Sequence, residues 1–277
     1  MIYGVSGLRQ PPQNPTQDFD KILQLGLWVR DGVDRPEWTT VYSLADRGVN
    51  IVANLGKAAM PGNFSLADWE AKVRDSVARY PKVRAWEIWN EPQNPGERQG
   101  YWDGTPAHYV DLLRTAYPAI KSANPSAIVL GFGGLPANVL NTPAQPFRDE
   151  VLSSGGGAYF DAFAVHVYPS VKPPEPGMTL DKRLVRIRNG LSDHLAAVRK
   201  PIWLTETAAG ASWWDQREYI QKAFPLFEGL GIAAVFWFTL RDGKQSIDGA
   251  NYGLLDSNGN PKEPAFSEFA RAVRARP

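Results

Sequence analysis

The sequence predicts an α/β fold, a single (β/α)8 TIM barrel. Three observations predict it: eight short apolar runs, segments of helical periodicity between them, and no shift in composition from end to end. The runs are Ile2–Val5, Gly26–Arg30, Asn50–Leu55, Ala85–Trp89, Ala127–Gly131, Ala162–Val167, Ile202–Glu206 and Ala233–Phe238. Runs such as Ala233-Ala234-Val235-Phe236-Trp237-Phe238 are apolar on both faces, as strands are when helices cover a parallel sheet. An open doubly wound sheet is disfavoured, because Gly131-Phe132-Gly133-Gly134 is not the G-x-G-x-x-G phosphate fingerprint.

The intervening helices justify the other half of each unit. Ser65–Arg79 carries Leu66, Trp69, Val73 and Val77 on one face, and Pro106–Ala123 opens behind Thr105, a capping residue type. Leu180–Val198 keeps its Arg and Lys on a polar face, Asp215–Leu230 stops at the Gly231 turn, and Ala265–Ala275 closes the chain. No domain boundary interrupts the series, so residues 1–277 are expected to form one catalytic barrel domain.

Composition narrows the partners. With 43% hydrophobic and 21% charged residues, the chain is of folded and not disordered type. Thirty Lys plus Arg against 29 Asp plus Glu argues against nucleic acid and against an anionic membrane surface, leaving a neutral partner; the chain is expected to act as a monomer. No window reaches the apolar length of a membrane span. Met1–Gly7 lacks the basic and apolar regions of a signal peptide, so the cytoplasm is expected unless a leader preceded Met1, in which case secretion or the periplasm is. There is no cysteine, the three histidines (His108, His166, His194) are widely separated, and neither H-E-x-x-H, a P-loop nor G-x-S-x-G occurs. Neither a metal nor another cofactor is expected.

In a barrel, functional groups gather at the C-terminal strand ends, where Arg30, Glu91, His166, Tyr168, Glu206 and Trp237 all fall. Glu91 ends Trp86-Glu87-Ile88-Trp89-Asn90-Glu91-Pro92, where Pro92 biases its predecessor to extended backbone. Glu206 follows the apolar run Ile202-Trp203-Leu204, where a carboxylate is costly unless paired or functional. Two such carboxylates suit acid/base and nucleophilic work. The bland alternatives are a solvated loop Glu91, a structural ion pair at Glu206, and an Arg30 that pairs with Glu87 instead of Glu206. His166 and Tyr168, two apart, share one face of their strand. Trp237 can offer its ring to a ligand or belong to the core. Among the loop and helix-start tryptophans Trp38, Trp102, Trp213 and Trp214, the last two are the candidates for further aromatic platforms.

This arrangement resembles glycoside hydrolase clan A over nearly the whole chain. The segments that carry the resemblance are Trp86–Pro92, His166-Val167-Tyr168-Pro169, Leu204-Thr205-Glu206, Phe236-Trp237-Phe238 and Arg30. Within the clan, Trp86–Pro92 and the stretch Tyr252-Gly253-Leu254-Leu255-Asp256 through Pro261-Lys262 look most like family 39. The resemblance implies a retaining β-glycosidase without cofactor acting on a poly- or oligosaccharide, with Glu91 as acid/base and Glu206 as nucleophile. It further implies Arg30 holding Glu206 ionised, Asn90 on the sugar 2-hydroxyl, Tyr168 donating to Glu206, His166 reaching substrate or a carboxylate, and Trp237 beneath the glycone. Such a mechanism needs a protonated Glu91 and an ionised Glu206 about 5–5.5 Å apart. Endo cleavage is expected. The readings left open are an exo-acting β-xylosidase-like enzyme, a transglycosylase, and a catalytically silent carbohydrate-binding barrel.

Overall fold

The computed structural model of the chain describes residues 1–8, 15–35, 38–136, 144–170, 173–243 and 250–275. Eight strands close into a barrel in sequence order, and every neighbouring pair is parallel. They are β1 (Ile2–Ser6), β2 (Trp28–Gly32), β3 (Ile51–Leu55), β4 (Ala85–Ile88), β5 (Ile128–Pro136), β6 (Ala162–Val167), β7 (Ile202–Thr207) and β8 (Ala234–Phe238). The helices between and after them are α1 (Pro15–Leu25), α2 (Trp38–Tyr42), α3 (Leu66–Arg79), α4 (Pro106–Ala123), α5 (Ala144–Ser153), α6 (Leu180–Val198), α7 (Gln216–Gly229) and α8 (Ala265–Arg274). The expected (β/α)8 architecture is the one observed.

Local chemistry sets the ends. Ser65 and Asp68 form a reciprocal capping box at the start of α3, and the Thr105 hydroxyl accepts from the His108 N–H at the start of α4. Strand β2 begins two residues later than expected, because Gly26, at φ +59, is the left-handed turn that ends α1. Strand β5 runs five residues further than expected, through a register shift between Gly131 and Leu135. Phe132, Gly133 and Gly134 all have positive φ within that shift.

The barrel interior is filled by alternate residues. Its lower part holds Trp28, Val52, Ala85, Leu130, Ala162, Ala164, Trp203, Ala234 and Phe236. Large rings come from β2, β7 and β8: Trp28 meets Trp203 edge-on at 5.6 Å, and Trp203 stacks on Phe236 at 6.1 Å. Small residues opposite make room for them; a Cβ on Gly4 would lie 2.4 Å from the Phe236 ring. Continuing the same alternation upward brings Ser6, Arg30, Asn54, Glu87, His166 and Phe238 to the C-terminal mouth. A packed apolar floor therefore lies beneath a polar upper layer.

One buried polar group of the outer layer has a measurable signature. His194 on α6 lies against Phe163, with Nδ1 2.9 Å from an Arg148 N–H donor and Nε2 3.3 Å from the Pro136 carbonyl. Arg148 can only donate, so Nδ1 accepts and the ring is the neutral Nε2–H tautomer. Burial, ahead of the repulsion from Arg148, pushes its pKa down to about 4 from 6.5. A depressed histidine contributes stability fully above pH 6.5 and loses it as pH falls toward 4, to the extent of about 3 kcal/mol. Urea unfolding of the protein and of His194→Asn across this range should show the difference between them shrinking by about that amount as pH falls; a constant difference would rule the account out.

Candidate active site

Arg30 is the hub of the mouth. Its guanidinium donates to Glu87 Oε2 at 2.5 Å, Ser6 Oγ at 3.0 Å, Glu206 Oε1 at 2.7 Å and Asn90 Oδ1 at 3.1 Å. The two expected partners, Glu206 and Glu87, are thus held together. Burial opposes the charge, but the two carboxylates outweigh it and hold the guanidinium above its ordinary pKa. Asn54 Nδ2 donates to the same Glu87 oxygen at 2.8 Å and to the Trp89 carbonyl at 2.6 Å.

Around Glu206, the Tyr168 hydroxyl donates to Oε2 at 2.6 Å. Burial first, and then the charge of Glu206, raise the Tyr168 phenol well above its usual pKa, so it stays a donor. His166 lies between the carboxylates: Nδ1 is 2.9 Å from Glu91 Oε1 and 3.7 Å from Glu206 Oε2. Burial alone would lower the imidazole pKa, but the charge of Glu206 and the hydrogen bond to Glu91 outweigh it and raise it. Asn94 Nδ2 donates to the other Glu91 oxygen at 3.2 Å. The Glu91 side chain is 31% exposed against 15% for Glu206, so the former faces the open side. Glu97, in the turn Pro95–Glu97, has its carboxyl pKa raised by burial and then by the charge of Glu91.

The local backbone departs from expectation at Glu91. Its φ is +39, not extended, and that of Trp89 is +64. The Glu91 N–H donates to the Gly133 carbonyl at 2.7 Å while Asn54 holds the Trp89 carbonyl, and these contacts override the bias from Pro92. Gly133 is required for this approach, since a Cβ there would lie 2.3 Å from the Trp89 oxygen.

Six candidates, Arg30, Asn90, Glu91, His166, Tyr168 and Glu206, are joined by these contacts. Trp237 is not among them. With Ala234 and Phe236 facing inward, period two turns Trp237 outward, where it packs on Tyr219, Phe224 and Phe269. Its indole N–H donates to the Tyr252 carbonyl at 2.8 Å. The inward place at the end of β8 belongs to Phe238, whose ring meets Tyr168 at 6.2 Å and Tyr252 at 5.9 Å. Trp213 reaches this region only indirectly: a Cβ on Gly210 would lie 3.3 Å from both its ring and that of Tyr252. Trp214 has no hydrogen bond or ring contact to the cluster among the described residues. Trp38 and Trp102 are fully buried and serve the core. Sequence reasoning missed Ser6, Asn54, Asn94, Phe238 and Tyr252, and weighed Glu87 only as a rival partner. Strand alternation was the available signal for Ser6, Asn54, Glu87 and Phe238, and Tyr252 opened a segment quoted for the family 39 resemblance; Asn94, in a loop, offered none. Among the described residues, no group of three or more His, Asp or Glu is placed to hold a metal ion.

Residues 135–266 match the family model described as the glycosyl hydrolase catalytic core. The match, which covers the second half of the barrel, and the closed barrel itself agree with the clan A resemblance of the sequence. No curated protein matches the sequence. Among solved structures, a family 39 glycoside hydrolase from Bacteroides cellulosilyticus WH2 aligns over 99% of this chain and 63% of its own, at TM-score 0.70 and 20% identity. The GH53 catalytic domain of Ignisphaera aggregans aligns over 98% and 96%, at TM-score 0.70 and 16% identity. The exo-β-1,4-mannosidase Op5Man5 from Opitutaceae bacterium strain TAV5 aligns over 99% and 59%, at TM-score 0.68 and 18% identity. At these identities the likeness carries the fold. The chain spans less than two thirds of the family 39 and mannosidase structures.

The orientation of β8 is testable. Trp237→Phe removes one buried donor and should cost about 1–3 kcal/mol in urea unfolding while leaving KM nearly unchanged. Phe238→Ala should raise KM; the reverse pattern would contradict the inward place of Phe238.

Proposed function

We propose that the protein is a retaining β-glycosidase that cleaves O-glycosidic bonds by double displacement. The observation that carries this reading is the shared contact of His166 Nδ1 with both carboxylates. Laid end to end, the 2.9 and 3.7 Å contacts set the greatest separation of the facing oxygens. That limit only touches the lower edge of the ~6.5–9.5 Å spacing of inverting enzymes, which leave room for a water between the carboxylates.

In the first step Glu206 attacks the anomeric carbon while Glu91 protonates the departing glycosidic oxygen, and a covalent glycosyl-enzyme forms. In the second, Glu91 takes a proton from water, whose oxygen displaces Glu206 and releases the sugar with its original configuration. Arg30 and Tyr168 each hold one Glu206 oxygen and favour its charged form. Asn90 Oδ1 is engaged by Arg30 and its side chain also bonds the Glu97 carboxyl, so the remaining amide N–H is the one to donate to the sugar 2-hydroxyl. Phe238 and Tyr252 supply apolar surface for the sugar ring.

The substrate is a poly- or oligosaccharide. Endo cleavage is the mode proposed, with exo action as the alternative; a barrel of similar fold is an exo-β-1,4-mannosidase. A polysaccharide whose viscosity falls before reducing ends accumulate would support the endo mode; release of single sugars from one end would support the exo mode.

Proton NMR of the first-formed product should show the retained anomer. Glu91→Ala should lower kcat/KM for poor leaving groups by about 10²–10⁴-fold, while with an activated aryl glycoside, which departs without the acid, azide should restore turnover as the β-glycosyl azide. An inverted first product, or full activity in Glu206→Gln, would defeat the mechanism. Binding of oligosaccharides without turnover of any aryl glycoside would favour the silent carbohydrate-binding barrel.

A further inference from the structure

We infer that Tyr109, on α4, is a positioning residue for Glu91, acting as a hydroxyl clamp between the ends of β4 and β5. The inference rests on the acid/base role proposed for Glu91.

The last ladder pair between these strands is Glu87 with Leu130. Beyond it the strands part: β4 breaks into the positive-φ residues Trp89 and Glu91, while β5 enters Phe132, Gly133 and Gly134, also at positive φ. Parting strands leave backbone groups without ladder partners, and here those groups are buried. The Tyr109 hydroxyl occupies the gap, donating to the Ile88 carbonyl at 2.8 Å and accepting the Phe132 N–H at 2.5 Å. One residue further on, the Gly133 carbonyl accepts the Glu91 N–H at 2.7 Å. One phenolic oxygen thus fixes, by two bonds, the spacing of the two segments that then meet at the Glu91 backbone. The ring is fully buried among Trp102, Phe132 and Phe147, with centroids 5.6 to 5.7 Å away, and cannot shift without moving that cluster. Burial keeps the phenol pKa well above its ordinary value, so the donor to Ile88 is retained.

A hydroxyl that merely satisfies two core groups would affect stability alone. A clamp on the acid/base loop would also change how rate depends on the leaving group, because a misplaced acid matters only where the departing oxygen needs its proton.

The test compares 2,4-dinitrophenyl and unsubstituted phenyl β-glycosides of whichever sugar the wild-type protein turns over fastest. Tyr109→Phe keeps the ring and removes the clamp. Its kcat/KM for the phenyl glycoside should fall by about 10- to 100-fold, while that for the dinitrophenyl glycoside changes little. Gly133→Ala pushes on the same loop from the other side and should give the same split, which keeps the inference testable if Tyr109→Phe does not fold. Ile120→Ala removes buried α4 volume about three turns further along the helix from Tyr109 and should shift both substrates equally, if at all. Equal losses on the two substrates in Tyr109→Phe, or in Gly133→Ala if only that variant folds, would overturn the clamp. Glu91→Ala on the same pair separates the two failures: if it shows no leaving-group split, the Glu91 reading fails, and if it does while the clamp variants do not, only the clamp fails.

Discussion

The buried guanidinium of Arg30 is the interaction on which the rest of the mouth depends. A cation inside a barrel is strongly destabilising unless carboxylates and further acceptors surround it, and replacing only one partner leaves an uncompensated charge. Here the compensation comes from β1, β4 and β7 at once, through Ser6, Glu87, Asn90 and Glu206. The planar fork of arginine meets several acceptors in fixed directions, which a lysine ammonium does not reproduce. Glu87 meets the guanidinium fully inside the barrel, and Glu206 meets the same guanidinium at the rim.

The two proposed catalytic carboxylates consequently live in unlike surroundings. Glu206 is held by a cation and a phenol; Glu91 is held by an imidazole and an amide on a more exposed loop. Placing Glu91 there requires left-handed backbone at Trp89, Glu91 and Phe132, each such residue costing on the order of 1–3 kcal/mol. That cost is offset by the Asn54 bond to the Trp89 carbonyl, the Gly133 bond to Glu91, the Tyr109 bonds, and the ring cluster of Trp89 with Phe64, Trp69 and Trp102. Packing beneath the barrel and chemistry above it are thereby linked through the same strands.

The barrel was legible in the sequence because strands buried on both faces read as unbroken apolar runs, and eight of them recur between helical patterns. The placement of Glu91 and Glu206 at the mouth was legible for a related reason: a carboxylate ending an apolar run contradicts its surroundings and so draws notice. Trp237 misled because size and position at a strand end suggested a sugar platform, whereas strand alternation decides the face and assigns it to Phe238. The φ of Glu91 was not readable, since contacts with β3 and β5 overrule the local effect of Pro92. Asn94 and Tyr252 lie in loops whose course depends on distant turns, and Tyr109 reads in sequence as one more core residue of α4.

The most direct test of this arrangement is to trap the covalent intermediate with a 2-deoxy-2-fluoro-β-glycosyl fluoride and locate the label by peptide mass spectrometry. The account predicts a single adduct on Glu206, the carboxylate that Arg30 and Tyr168 hold. An adduct on Glu91 or Glu87, or turnover of the reagent with inversion and no adduct, would contradict it.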